Sequence, residues 1–284
     1  MHHSAVLALL FFTCFQCRGE LTNGTEFMFS TLPIAGGLWT FGLIVLTFET
    51  KTELKTILFS RKLSIQEDTY SIDANESFIS LGPNYSSPIG FGAKPTVYVK
   101  TQAPVHLVLW MVKGDYLISA MVKLLPVTAW GTVYLAITLK SPYILVTACV
   151  DGTEIEVHLN VAKFRKVRVP KKSLFRKRPT YQFTLDMYQS YSASSCIESQ
   201  KMEDSGFTGT KIMATEPVGV ITGSCLGRTL SYQTKTQDIM IGSLISFDKC
   251  AIKTRQIILF LKSIRKSCSI FTILALAHPE VIYC

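Results

Sequence analysis

Residues 43–57 read LIVLTFETKTELKTI and residues 144–158 read ILVTACVDGTEIEVH, and the two stretches follow one pattern. Thr52-Glu53-Leu54 aligns with Thr153-Glu154-Ile155 at an offset of 101 residues. Further on, Ile72-Asp73 with Ser77-Phe78 aligns with Leu185-Asp186 with Ser190-Tyr191 at an offset of 113. Pro104-Val105 then aligns with Pro217-Val218, again at 113. Three matches in one order, with a single change of offset, predict a duplicated unit. One copy carries an insertion of 12 residues, the difference between 113 and 101. It falls between Ile57 and Leu185, most simply in the second copy, where residues 163–178 form the chain's oddest segment.

The segments around both copies are β in character. GLIVLTFET, PTVYVKT, VHLVLWMV, GTVYLAITL, YILVTACV, TEIEVHLNV, TYQFTLDMY and VGVITGSC are rich in Val, Ile, Thr and aromatics and are separated by Gly, Pro, Asp or Asn. Ile155, Val157 and Leu159 alternate with Glu154, Glu156 and His158, the mark of a strand with one buried face. Asp151-Gly152 between two such runs predicts a hairpin turn. The spacing predicts an all-β chain of two tandem antiparallel β-sandwich domains, residues 20–128 and 129–284. Residues 247–284 read equally well as an amphipathic helix or as two strands. A length of 284 residues accommodates two cores, and 48% hydrophobic with 17% charged residues excludes disorder.

The net charge of +9 is local. Lys163, Arg165, Lys166, Arg168, Lys171, Lys172, Arg176, Lys177 and Arg178 fall within sixteen residues that contain no acid. Removing these nine from 29 leaves 20 basic residues against 20 acidic ones. The run reads as a solvated loop, as a patch for an anionic polysaccharide, or as a processing site disfavoured by Pro179 after Arg178. Nucleic acid is an unsuitable partner in the compartment that the N-terminus predicts. There, SAVLALLFFTCF is too short to span a bilayer and is followed by Cys17-Arg18-Gly19, so residues 1–19 read as a signal peptide and the chain as secreted and extracellular. Sequons at Asn23, Asn75 and Asn84 agree with that compartment.

Loss of the leader removes Cys14 and Cys17 and leaves Cys149, Cys196, Cys225, Cys250, Cys268 and Cys284. Six cysteines allow 15 pairings. Cys196 and Cys225 are candidate half-cystines, and Cys149, in an apolar strand, reads as a buried thiol. No CxxC pair supports zinc, and nothing in the pattern calls for a cofactor. His106 and His158 have no acid or thiol at catalytic spacing. Gly223-Ser224-Cys225-Leu226-Gly227 has the form of a nucleophile elbow after the strand VGVIT. The following RTLSYQTKTQD lacks the helical period that an elbow enters, which leaves a thiol hydrolase as an alternative to a binding module.

Several of these stretches together resemble the N-terminal domain of the IgG Fc-binding protein family. They are GTEF from Gly24, VTACVDGTEIEV from Val146, FTL from Phe183, YQSY from Tyr188, FTGTKI from Phe207 and ATEPVGVITG from Ala214. The resemblance covers residues 24–238 and is clearest over 144–223. It implies a secreted β-rich module of mucus-associated proteins, with no catalytic residues and with an extracellular protein or glycan as partner. The family has a Cys before the residue corresponding to Asp238; Gln237 stands there, so the partner that the family implies for Cys225 is missing. No Cys-rich repeat follows residue 246, so a shortened form of a larger multidomain mucus protein is a further alternative, which transcript sequence beyond Cys284 would decide. Immunoglobulin binding belongs to particular members and does not transfer on fold alone.

Overall fold

Strand composition of this kind forms ladders, and the fold follows from where those ladders change partner. The computed structural model describes residues 22–31, 39–60, 63–81, 85, 92–113, 119–138, 141–160, 180–194, 207–227 and 238–248. In chain order the strands are β1 (Gly24–Phe29), β2 (Trp39–Ser60), β3 (Leu63–Leu81), β4 (Gly92–Lys94), β5 (Thr96–Lys113), β6 (Ser119–Leu124), β7 (Gly131–Leu135), β8 (Pro142–Ala148), β9 (Thr153–His158), β10 (Thr180–Leu185), β11 (Ser190–Ser194), β12 (Lys211–Gly227) and β13 (Asp238–Ser243). They form two antiparallel sheets, so the all-β expectation holds. The first has the order β1-β5-β2-β3 with β6 also on β5. The second has the order β10-β9-β12-β8-β11-β4, with β7 and β13 also on β12.

The long strands each serve two neighbours or two segments of one neighbour. Register in β2 shifts between Thr47 and Lys51 against β3 and between Thr47 and Leu54 against β5. Leu43 and Val45 before the shift and Leu54 and Leu58 after it share one core, so the sheet curls over its own apolar face. Each of these four side chains is fully buried, worth on the order of 1.5–3 kcal/mol apiece relative to exposure. Thr52 and Thr56 also point inward. The Thr52 hydroxyl accepts the Ala103 amide at 3.1 Å, so that inward-facing polar group is satisfied.

The two sheets share one pairing scheme to the residue over most of their length. Leu54 faces Tyr70 and Thr101; Ile155, 101 positions on, faces Phe183 and Ala214, each 113 positions on. Thr47 faces Val105, and Ala148 faces Val218. Even β1 and β7 correspond: Gly24 and Glu26 face Val105 and Lys100, while Gly131 and Val133 face Val218 and Met213. Residues 43–57 and 144–158 therefore occupy like positions. The offset changes between the pairs Ile57/Tyr98 and His158/Lys211 on one side and Tyr70 and Phe183 on the other, which brackets the 12-residue difference to the β9–β10 connection.

Two expectations are corrected. Asp151-Gly152 does not close a hairpin, because β8 and β9 are not neighbours. Both run the same way along β12, β8 on residues 218–224 and β9 on residues 211–214, and the Asp-Gly step is the corner between them. Gly152 has φ +69°, with nothing within 4 Å of a Cβ placed there, so its backbone conformation rather than space calls for glycine. The alignment of Phe78 with Tyr191 also slips. Ile44 faces Phe78, but its counterpart Leu145 faces Ser192. The β10–β11 turn at residues 186–189 takes up one residue more than the matching bulge in β3, and a one-residue slip reverses the face.

The halves are not separate in space. The short β4, from the first half of the chain, pairs with β11 at the edge of the second sheet. Tyr143, Leu145, Ile221 and Cys225 of the second sheet join the core of the first. A second core, including Ile144, Val146, Val218 and Val220, lies on the opposite face of the same strands. Where β7 meets β12, the buried Tyr134 hydroxyl donates to the Val218 carbonyl and accepts the Gly131 amide at 2.9 Å. Burial pushes its pKa up to about 12. Replacement of Tyr134 by Phe orphans both backbone groups and is expected to cost about 1–3 kcal/mol. A urea midpoint lowered at unchanged slope shows the loss; an unaltered midpoint contradicts it.

Candidate functional site

All the stretches that carry the resemblance except GTEF, which lies in β1 of the first sheet, converge on the second sheet. VTACVDGTEIEV is β8, the corner and β9; the Phe183 and Tyr188 stretches are β10, its turn and β11; ATEPVGVITG lies in β12. The corner and the β10–β11 turn are bonded to each other by a reciprocal pair of aspartates. Asp186 accepts the Gly152 amide at 3.0 Å, and Asp151 accepts the Met187 amide at 3.0 Å. The Gln189 side chain accepts the Asp186 amide at 3.0 Å, and the Gln189 amide returns a bond to the Asp186 carbonyl. These acids are anchors for loop backbone. Their role was not legible in the sequence, where only Asp151-Gly152 stood out, because a side chain that caps a distant loop has no local spacing.

Tyr188 fixes the same turn against the first sheet. It sits at φ +63°, an uncommon backbone for a residue with a side chain. Its ring stacks on Phe59 with centroids 4.1 Å apart and meets Tyr98 edge-on at 5.5 Å. Met28, Tyr98 and Trp130 form a third buried cluster there, with Tyr188 and Cys149 packed against it. Trp130 lies so close over Gly219 that a Cβ on that glycine would sit 2.4 Å from the indole. A narrow cleft lined by Met28, Trp130, Gly219 and Leu244 runs along this seam.

The individual residues singled out by the sequence are dispersed. Asn23 is partly exposed just before β1, and Asn75 lies in β3 opposite Thr47. Asn84, Cys196, the last segment from residue 249 and all nine cations of residues 163–178 lie outside the described residues. The cationic run connects β9 to β10, whose ends meet at His158 and Thr180. His158 contacts Glu156 at 3.1 Å, and His106 Nδ1 lies 3.0 Å from the Thr22 carbonyl. Neither forms part of a metal site: among the described residues no group of three His, Cys, Asp or Glu could hold an ion. No helix among them is long and apolar enough to cross a membrane.

The elbow reading of Cys225 is corrected by the geometry. Residues 223–227 remain within β12, paired with β8 on one side and β13 on the other, with no turn into a helix. Cys225 is buried and disulfide-bonded, so it offers no thiolate. Cys149 is the free thiol among the described cysteines. Its Sγ donates to the Pro217 carbonyl at 3.3 Å, and burial pushes its pKa above the ordinary value.

The geometry defines a class before any family: a β module of two register-matched antiparallel sheets, the second carrying its corner and turn on an aspartate-bonded rim. Residues 119–251 match the family model described as IgGFc binding protein, the family that the sequence resembles. The match spans β6 to β13 and hence the second sheet apart from β4. No curated protein and no solved structure matches the chain.

The two cysteines predict distinct reactivity. Iodoacetamide should modify Cys149 more slowly at pH 8 than it modifies an unstructured cysteine peptide, since a raised pKa leaves less thiolate. Cys225 should react only after reduction. Rapid labelling of Cys225 in the native, unreduced protein contradicts this assignment.

Proposed function

We propose that this protein is a secreted, non-catalytic binding or adhesion module whose ligand is an extracellular glycoprotein, mucin or anionic glycan. The observation that carries the reading is the match of residues 119–251 to a family described by binding, over the sheet in which all the resemblance motifs but GTEF lie. The aspartate-bonded rim supports it, because loops held rigidly on a β scaffold are where such modules present contacts. The leader at residues 1–19 and the sequons at Asn23, Asn75 and Asn84 support secretion. The common pairing scheme supports two copies of one unit, divided near residue 128, with β4 reaching across the division.

Within this reading the nine cations of residues 163–178 are the contact for the anionic ligand. They fall in the sequence between β9 and the edge strand β10. Nine like charges without a counter-charge repel one another, and a polyanion relieves that repulsion. Exposed charges are screened within about 8 Å at physiological salt, so such binding weakens steeply as salt rises. The test is elution from immobilised heparin of the mature glycoprotein and of a form with Lys171, Lys172, Arg176, Lys177 and Arg178 replaced by Gln. The neutralised form should elute at clearly lower salt. Equal elution overturns the glycan contact and leaves the loop as a solvated insertion.

A further inference from the structure

Over most of their length the matched registers give each residue of the second sheet a counterpart in the first, and one pair of counterpart faces differs in what covers it. In the second sheet, Tyr143, Leu145, Ile221 and Ile241 point away from that sheet's own core. They are covered instead by the first sheet, whose core they join. Their counterparts by register are Gly42, Ile44, Val108 and Met121, on β2, β5 and β6. This matching face also points away from its own core, which is formed by the alternate residues Leu43, Val45, Leu107 and Leu109. Among the described residues, nothing covers it.

The face is built as an interface nonetheless. Phe78 is 59% exposed, Met121 64% and Leu46 37%. The Phe78 and Trp110 rings lie 4.6 Å apart, and Trp110 faces Met121 directly across β5 and β6. Trp110 lies flat over Gly42, where a Cβ would come within 2.1 Å of the indole nitrogen. That indole N–H is buried and has no hydrogen-bond partner. A contiguous apolar face of this kind on a β-sheet is rare without a function.

We propose that this face is the docking site for a second copy of the chain, whose second sheet seats on it as the first sheet seats on the second within one copy. The argument is the intramolecular precedent: the register-equivalent face already has a cover, and that cover is a unit of the same fold. Since the donor and acceptor surfaces are on different sheets, the contact is head-to-tail rather than two-fold. The inference does not rest on the ligand reading above.

The experiment places a photocrosslinking amino acid at Met121 in the mature secreted protein and mixes isotopically heavy and light chains. Heavy-to-light crosslinks from position 121 to the second sheet are expected, together with a sedimentation mass that rises above the monomer with concentration. Met121→Asp and Phe78→Ser should each return the protein to a monomer with unchanged circular dichroism, while Ile65→Asp, at an exposed position outside this face, should not. Crosslinks confined to one chain, crosslinks between the two first sheets, or a monomeric mass up to about 100 µM, a weak-interface concentration, overturn the proposal. Failure of heparin binding leaves it untouched.

Discussion

The structure depends on one long strand being read by two neighbours in succession. β12 pairs with β8 through residues 218–224 and with β9 through residues 211–214. β5 does the same for the two ends of β2 in the first sheet. Between the paired segments the ladder opens, opposite residues 149–154 in one sheet and residues 48–53 in the other. A strand cannot lose register there without turning its apolar side chains to water, since a one-residue slip exchanges the faces. The break therefore bends each sheet over its own apolar face, and side chains of the second sheet complete the first core. Everything else, including the aspartate-bonded rim at the corner, is positioned by that break.

The same constraint explains how the sheets meet. Because β8 and β12 are apolar on both faces, one face closes the second core and the other joins the first. The hydroxyls of Ser190, Thr147 and Thr96 link at 2.8 and 2.7 Å across this seam, so these three groups are satisfied. Tyr188 locks the rim to Phe59 and Tyr98 at the cost of a left-handed backbone. The candidate binding rim thus belongs to the second sheet, whereas its rigidity comes partly from the first.

Much of the fold was legible in the sequence. The shared TEL and TEI triplets, the alternation in TEIEVHL and the one change of offset anticipated the strands and their common positions. What was not legible follows from physical causes. Asp-Gly fits both a hairpin and a corner, since each needs positive φ at the glycine. The sequence does not state that β12 runs long enough to serve both neighbours, and that length decides between the two. The Phe78 slip arises from one added turn residue. The apolar runs YILVTA and VGVITG did carry a signal of double-sided burial, which alternation-based reading passes over. Of the site, the cations and cysteines were visible as residue types. The Asp151–Asp186 reciprocity was not, because it joins loops 35 positions apart in the chain.

Amide hydrogen exchange, resolved to single residues, tests the central claim that the two sheets share one broken-ladder scheme. Slow exchange is predicted in two blocks of β12, residues 211–214 and 218–224, separated by fast exchange at Thr215 and Glu216. A matching profile should recur 113 positions earlier, with protection at residues 98–101 and 105–111 and fast exchange at Gln102, Ala103 being held by its bond to the Thr52 hydroxyl. A single uninterrupted protected block in either strand, or unlike profiles in the two, would contradict the account.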